Sequence, residues 1–233
     1  MTVSLSVVVM AFNEEANLPI TLDETLAFLE TSDCPSWQIV VVDDGSSDGT
    51  LAVARSYAER YPDGITVAAH PHNRGMGAAV KTGYAAASCA WVTQLPADGQ
   101  IDPRILQRFI DAIGREPDVE IVLSRYRHRD DGWIRDVLSW GFQNAIQLVV
   151  GHRGDYTGIS MFSRSLLDRV GPLHSETFFV NLEFPIRALR LGARHSLVEI
   201  EARPRLSGES KVRNLRRIAR VAREIVKMRL RGG

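Results

Sequence analysis

The sequence predicts an α/β protein built on a mostly parallel sheet with helices on both faces. Three observations carry that prediction. Short runs rich in Val and Ile alternate with stretches of helical periodicity. Several of these runs are apolar at consecutive positions, as expected of strands covered on both faces. Four of them end in polar loops, at the place where open α/β sheets receive ligands.

The elements follow in order. LSVVVM at 5–10 reads as the first strand, with a loop AFNEE and a helix over about 16–31. The second strand, 38–43, precedes a helix at roughly 48–60. The third, 64–69, precedes one at about 75–87. AWVTQL at 90–95 gives a fourth strand and Pro103 to Gly114 a helix, and EIVLS at 120–124 gives a fifth strand. Beyond Arg125 the pattern changes to a charged loop, a helix-like stretch from Trp133 to Val150, a Gly-rich turn, a short apolar segment GISMF, and a helix near 181–191. Val198 and Ile200 suggest one more strand, and residues 214–230 form a last helix. With no repeat or flexible linker, the economical reading is one catalytic domain over 1–211 and a basic amphipathic helix over 212–233.

Composition narrows the function. A chain of 233 residues, 45% hydrophobic, can bury a full core, which sets disorder aside. No apolar run approaches the roughly 20 residues of a membrane span, and the start does not read as a signal peptide, so an intracellular protein is expected. Cys34 and Cys89 lack metal or redox spacing and read as reduced thiols. Net charge is zero but uneven: from Arg203 onward eleven Lys/Arg stand against Glu209 and Glu224, a balance of +9 that leaves −9 for the rest. A basic tail on an acidic body points to an anionic partner for the tail. Nucleic acid is disfavoured, because the basic stretch lacks interleaved aromatics and the body would repel a phosphate backbone.

The chemistry sits at four strand ends: Asn13-Glu14-Glu15, Asp43-Asp44, Asn73-Arg74-Gly75-Met76-Gly77 and Asp98-Gly99-Gln100. Carboxylates at two such ends suit a nucleotide diphosphate, one by hydrogen-bonding ribose or base and one by holding Mg²⁺ or Mn²⁺. NRGMGAAVKTG places small residues and Lys81 at a helix start, where free N–H groups favour anions. The Gly75/Gly77 pair on its own reads better as close helix packing.

AFNEE, VVDDGSSDGT, NRGMGAAVKTG, PADGQ, LSRY, D-x-T-G and R-x-x-G-x-S-K, in this order over about residues 5–211, resemble an inverting family 2 glycosyltransferase of the GT-A fold. Within that family the chain is most similar to the polyprenyl-phosphate sugar synthases. The resemblance implies that Phe12, Asn13, Glu15, Asp43 and Asp44 hold the nucleotide of a UDP- or GDP-sugar, with Asp44 the better candidate for base or ribose and Lys81 approaching from the third loop. It makes Asp98 and Gln100 the metal ligands, in a motif whose first carboxylate is replaced by Pro96. Binding of the metal is therefore expected to depend on the nucleotide. It places Arg205 and Lys211 on the departing diphosphate, where preorganised cations stabilise developing charge. Arg125 and Arg135 fall where the acceptor phosphate is held, and Asp155 and Thr157 on the acceptor-side turn.

Glu183 is the one acid in a region, 180–183, where hydroxyl-acceptor relatives often carry a Glu-Asp pair. A phosphate acceptor is already anionic and needs no strong base, so this count and the two arginines favour phosphate, while Glu183 keeps a hydroxyl acceptor open. The last helix, with Leu215, Ile218, Val221, Ile225 and Val226 on one face and Arg216, Arg217, Arg220, Arg223 and Lys227 on the other, suits either peripheral contact with an anionic membrane surface or docking on its own domain with a solvated charged face. Two other readings stay open: a soluble transferase acting on a small-molecule hydroxyl, and a sugar-nucleotide binding protein without catalysis.

Overall fold

The structure, a computed structural model, describes residues 3–127 and 158–201 together with positions 203, 223, 224 and 228. The helix expected over 133–150 lies outside the described residues, as does most of the one over 214–230. So do Arg135, Asp155, Thr157, Arg205 and Lys211.

The chain runs β1 (Ser4–Ala11), α1 (Leu18–Thr31), β2 (Ser36–Asp43), α2 (Thr50–Arg60), β3 (Ile65–Ala69), α3 (Met76–Ala86), β4 (Trp91–Pro96), a 3₁₀ turn (Pro103–Ile105), α4 (Leu106–Arg115) and β5 (Ile121–Tyr126). Then come β6 (Ser160–Ser163), α5 (Arg164–Val170), α6 (Val180–Arg190) and β7 (His195–Ile200). One sheet takes the order β3-β2-β1-β4-β6-β5-β7. Its strands are parallel except β6, which runs antiparallel to both neighbours.

Period-two alternation divides the core. Val7 and Val9 of β1 face the side covered by α1 and α4, with Leu22, Phe109 and Ile113. Val8, Val40 and Val42 face α3 and α6, with Val80, Phe162 and Phe184. Tyr84, Phe162 and Phe184 meet edge-on or tilted with centroids 4.1 to 6.3 Å apart, which locks α3 and α6 together over β6. The Tyr84 hydroxyl donates to Gln94 Oε1, and Gln94 Nε2 donates to Asn181 Oδ1, both at 2.9 Å. The start of α6 is thereby pinned to β4.

Register explains where a site forms. β1 pairs with β2 on one side and β4 on the other, with Ala11 beside Asp43 and Met10 beside Pro96. Three parallel strands therefore release their following loops at one level of one edge. The GISMF segment, expected only as an apolar stretch, holds the first three residues of strand β6. Being antiparallel and four residues long, β6 leaves a weak periodic signal. Helix α5 was not expected at all; the Ser163 hydroxyl caps it by accepting from Leu166 N.

Candidate active site

The loops after β1 and β2 are laced together. Asn13 takes the left-handed conformation, φ +54°, which Asn tolerates better than most residues. Its N–H donates to Ser46 Oγ at 2.9 Å and its Oδ1 accepts from Ser47 N at 2.8 Å. Glu14 N donates to Thr50 Oγ1, Glu15 N to Asp48 Oδ2, and Gly49 N to Glu15 Oε2. Asp48 also accepts from Thr50 N at the head of α2. Burial would raise its carboxyl pKa, but the Thr50 and Glu15 hydrogen bonds outweigh that and hold it low. Asn13 and Glu15 thus stand together beside half-buried Phe12, and much of their bonding capacity shapes the loops.

Asp43 and Asp44 have different surroundings although both are buried. Asp44 Oδ1 lies 2.7 Å from His70 Nδ1 and accepts from Arg74 N at 2.9 Å, and Oδ2 accepts from Gly75 N at 2.8 Å. A carboxylate only accepts, so Nδ1 carries the imidazole proton; in the neutral ring Nε2 then accepts from Thr82 Oγ1 at 2.9 Å. Asp44 therefore folds the β3–α3 loop. Asp43, 1% exposed, receives among the described residues only Ser46 N, at 3.4 Å from each oxygen. The turn between them needs Gly45, φ +70°, where a Cβ would lie 2.3 Å from the His72 carbonyl carbon.

Asp98 is buried at the end of β4, in a turn made by Gly99 at φ +70°. Its Oδ1 accepts from Gln100 N at 3.1 Å, and Ala97 N donates to Met10 O, so the turn sits against β1. Gln100 O accepts from Arg203 N at 2.8 Å. The Arg203 guanidinium donates to both Glu24 oxygens at 2.9 and 3.0 Å and to Asp102.

Three other expected residues have definite partners. Lys81 Nζ lies 3.7 Å from Glu176 Oε1, which directs it toward the segment ahead of α6. Arg125, at the end of β5, donates through Nη2 to Glu199 at 2.6 Å and through Nε at 3.2 Å. Glu183, 2% exposed, accepts from His174 N at 2.9 and 3.1 Å and from Ser175 N at 2.7 Å, and meets Arg187 at 3.2 Å. Burial would raise its pKa; the hydrogen bonds from Ser175 and His174, with Arg187, reverse that and lower it.

Residues 6–171, well over half of the chain, match the family described as Glycosyl transferase family 2. The chain belongs to glycosyl transferase family 2. It is 29% identical over 244 residues to a dolichyl-phosphate beta-glucosyltransferase of Dictyostelium discoideum, covering 97% of this chain and 74% of that protein. It is 30% identical over 200 residues to the human protein of that name, covering 78% and 62%. It is 29% identical over 209 residues to an undecaprenyl-phosphate 4-deoxy-4-formamido-L-arabinose transferase of Aeromonas hydrophila, covering 89% and 62%. Among solved structures, glucosyl-3-phosphoglycerate synthase from Mycobacterium tuberculosis, crystallised with Mn²⁺, uridine diphosphate and phosphoglyceric acid, superposes with TM-score 0.72 at 22% identity. That match covers 98% of this chain and 78% of the other, and the fold is GT-A.

In this family 2 chain, sequence reasoning found the strand ends but missed the residues that shape them. His70, Thr82, Glu24, Asp102, Arg203 and Glu176 carry no motif of their own. Asp48 and Thr50 had a signal, since Asp-Gly-Thr before a helix is capping chemistry. No helix among the described residues is long and apolar enough to cross a membrane.

Proposed function

We propose that this protein transfers a sugar from a nucleotide-diphosphate sugar to a polyprenyl phosphate, with inversion at the anomeric carbon. The observation that carries the acceptor assignment is the state of Glu183. An acceptor hydroxyl needs a base within reach of its proton. Glu183 is enclosed, accepts main-chain N–H groups through both oxygens, pairs with Arg187 and has a lowered pKa, all of which make it a weak base. A phosphate acceptor is already anionic. Relatives named for dolichyl and undecaprenyl phosphate agree with this reading.

On the donor side, Asp43 is the carboxylate with lone pairs to offer ribose or base, and Asp44 supports it by folding the neighbouring loop. This reading takes Asp43 ahead of Asp44 for that contact. The superposed synthase was crystallised with UDP-glucose, which makes a UDP-sugar the first donor to test. Among the described residues no group of three or more His, Cys, Asp or Glu is arranged to hold a metal ion. Asp98 and Gln100 are the residues that would hold Mg²⁺ or Mn²⁺, through the hard oxygens such ions take. When bound, such an ion neutralises charge on the leaving diphosphate.

In the reaction an acceptor phosphate oxygen attacks the anomeric carbon as the bond to the diphosphate oxygen breaks, and the electron pair departs with the diphosphate. Arg205 and Lys211 meet that developing charge. Arg125 and Arg135 orient the acceptor phosphate through bidentate hydrogen bonds, Arg125 exchanging Glu199 for it. Asp155 and Thr157 complete the acceptor side, and the C-terminal basic helix brings the protein to the membrane surface that holds the lipid.

The test offers UDP- and GDP-sugars with a short polyprenyl phosphate or with the matching polyprenol. Sugar on the phosphate alone supports the reading; equal or greater transfer to the free alcohol would overturn it.

A further inference from the structure

Two carboxylates from different parts of the chain take the donors of four consecutive residues, His174 to Thr177. Glu183 holds the first two through their main-chain N–H groups. Glu224, in helical backbone of the C-terminal segment, holds the other two: Glu176 N donates to Oε1 at 2.9 Å and Thr177 Oγ1 to Oε2 at 2.5 Å. In sequence Glu224 is one of only two acids among eleven Lys/Arg from Arg203 onward. In sequence Arg220 and Lys227 stand at helical spacing from it, and its carboxylate meets the 174–177 segment.

That segment lies directly on the head of α3. Glu176 O accepts from Gly77 N at 3.2 Å, and a Cβ at position 77 would lie 2.4 Å from the Ser175 carbonyl oxygen. Glu176 reaches Lys81 on the same helix. Just before α3, Arg74 N and Gly75 N are bound by Asp44. A continuous path of contacts thus runs from Glu224 through 175–177 and the first turn of α3 to the loop after β2.

We propose that Glu224 is a positioning residue: its carboxylate clamps residues 174–177 onto α3 and so holds the nucleotide side of the site in shape. The C-terminal segment is then a working part of the donor site, in place of the separate appendage expected from sequence at 212–233. The clamp itself is independent of the proposed function. Its effect on nucleotide affinity rests on that reading.

The test is hydrogen exchange on the full chain, comparing wild type with Glu224→Ala, Glu224→Gln and Thr177→Val. Losing both hydrogen bonds in Glu224→Ala should speed exchange in 174–179 about tenfold, with a smaller rise in 75–81. The β1 amides should be unchanged. Glu224→Gln keeps an acceptor for Glu176 N and should lie between, and Thr177→Val removes the hydroxyl's bond to the intact carboxylate together with the one it accepts from Phe179 N, so its exchange is read at 174–177. Titration with UDP and Mn²⁺ should show affinity about threefold weaker in Glu224→Ala and largely restored in Glu224→Gln. Unchanged exchange in 174–179 would overturn the clamp. Faster exchange there with 75–81 unaltered would overturn its coupling to the donor site. Wild type that binds no UDP would count against the functional reading, while the exchange data still decide the clamp.

Discussion

The main-chain N–H of Arg203 donates to the carbonyl oxygen of Gln100 at 2.8 Å, joining the chain just after β7 to the turn that carries Asp98. The guanidinium secures that junction by bridging Glu24 and Asp102. Burial would raise the Asp102 carboxyl pKa, but hydrogen bonds from Arg104 and the charges of Arg203 and Arg104 bring it down. A lysine ammonium is a point charge and cannot span both acids. Arg203→Lys should lower kcat for sugar transfer about tenfold by misplacing the segment that follows, since small displacements of positioned groups cost rate steeply. Steady-state kinetics check it; an unchanged kcat would show that the bridge is not needed.

The two adjacent aspartates should separate cleanly. Asp44→Asn places an amide NH₂ among groups that donate, which should cost about 2 kcal/mol of stability. Asp43→Asn disturbs only a long contact with Ser46 N and should leave the melting temperature nearly unchanged while weakening nucleotide binding. Thermal unfolding and nucleotide titration of both variants give the comparison.

Glu183 gives a pH signature. Its native pKa is depressed, so its stabilisation is fully present above the ordinary carboxyl value of about 4.3 and is lost as pH falls through the lower native value. Glu183→Gln should be less stable than wild type by about 3 kcal/mol at neutral pH, because it leaves Arg187 and two main-chain donors poorly matched. The gap should close on acidification. Melting curves against pH for the two proteins test both sign and direction.

The legible part of this fold was the part with strong period. Val7 to Val9 and Ile39 to Val42 announce buried parallel strands, and the acids that follow them announce a ligand edge. The short antiparallel β6 was not legible as a strand, because four residues paired to strands on both sides carry no helix or alternation signal. At the site, sequence gave the acids but not their allotment. Asp43 and Asp44 look alike in sequence, and only the folded β3–α3 loop, with His70, Arg74 N and Gly75 N, shows which one is already occupied. The partners of Glu183 and Glu224 were hidden for the same reason, since a carboxylate that binds main-chain N–H groups leaves no pattern in its partners' identities.

Gly77 reverses a usual rule. Replacing a helical Gly with Ala ordinarily stabilises by roughly 0.5–1 kcal/mol. Here the new methyl would meet main-chain atoms of Ser175 and Glu176, with carbon and oxygen positions 2.4 to 2.5 Å away. Gly77→Ala should therefore destabilise the protein and speed exchange in 174–179. A gain in melting temperature would show that the segment can move aside freely.

The most direct test of the central claim is transfer of labelled sugar from UDP- or GDP-sugars with Mg²⁺ or Mn²⁺ to a short polyprenyl phosphate, with label counted in the lipid phase for wild type and Asp98→Ala. The account predicts lipid-linked label that depends on the divalent ion and disappears in Asp98→Ala while the variant stays folded. Nucleotide released with no label in the lipid, for every donor tried, would contradict it.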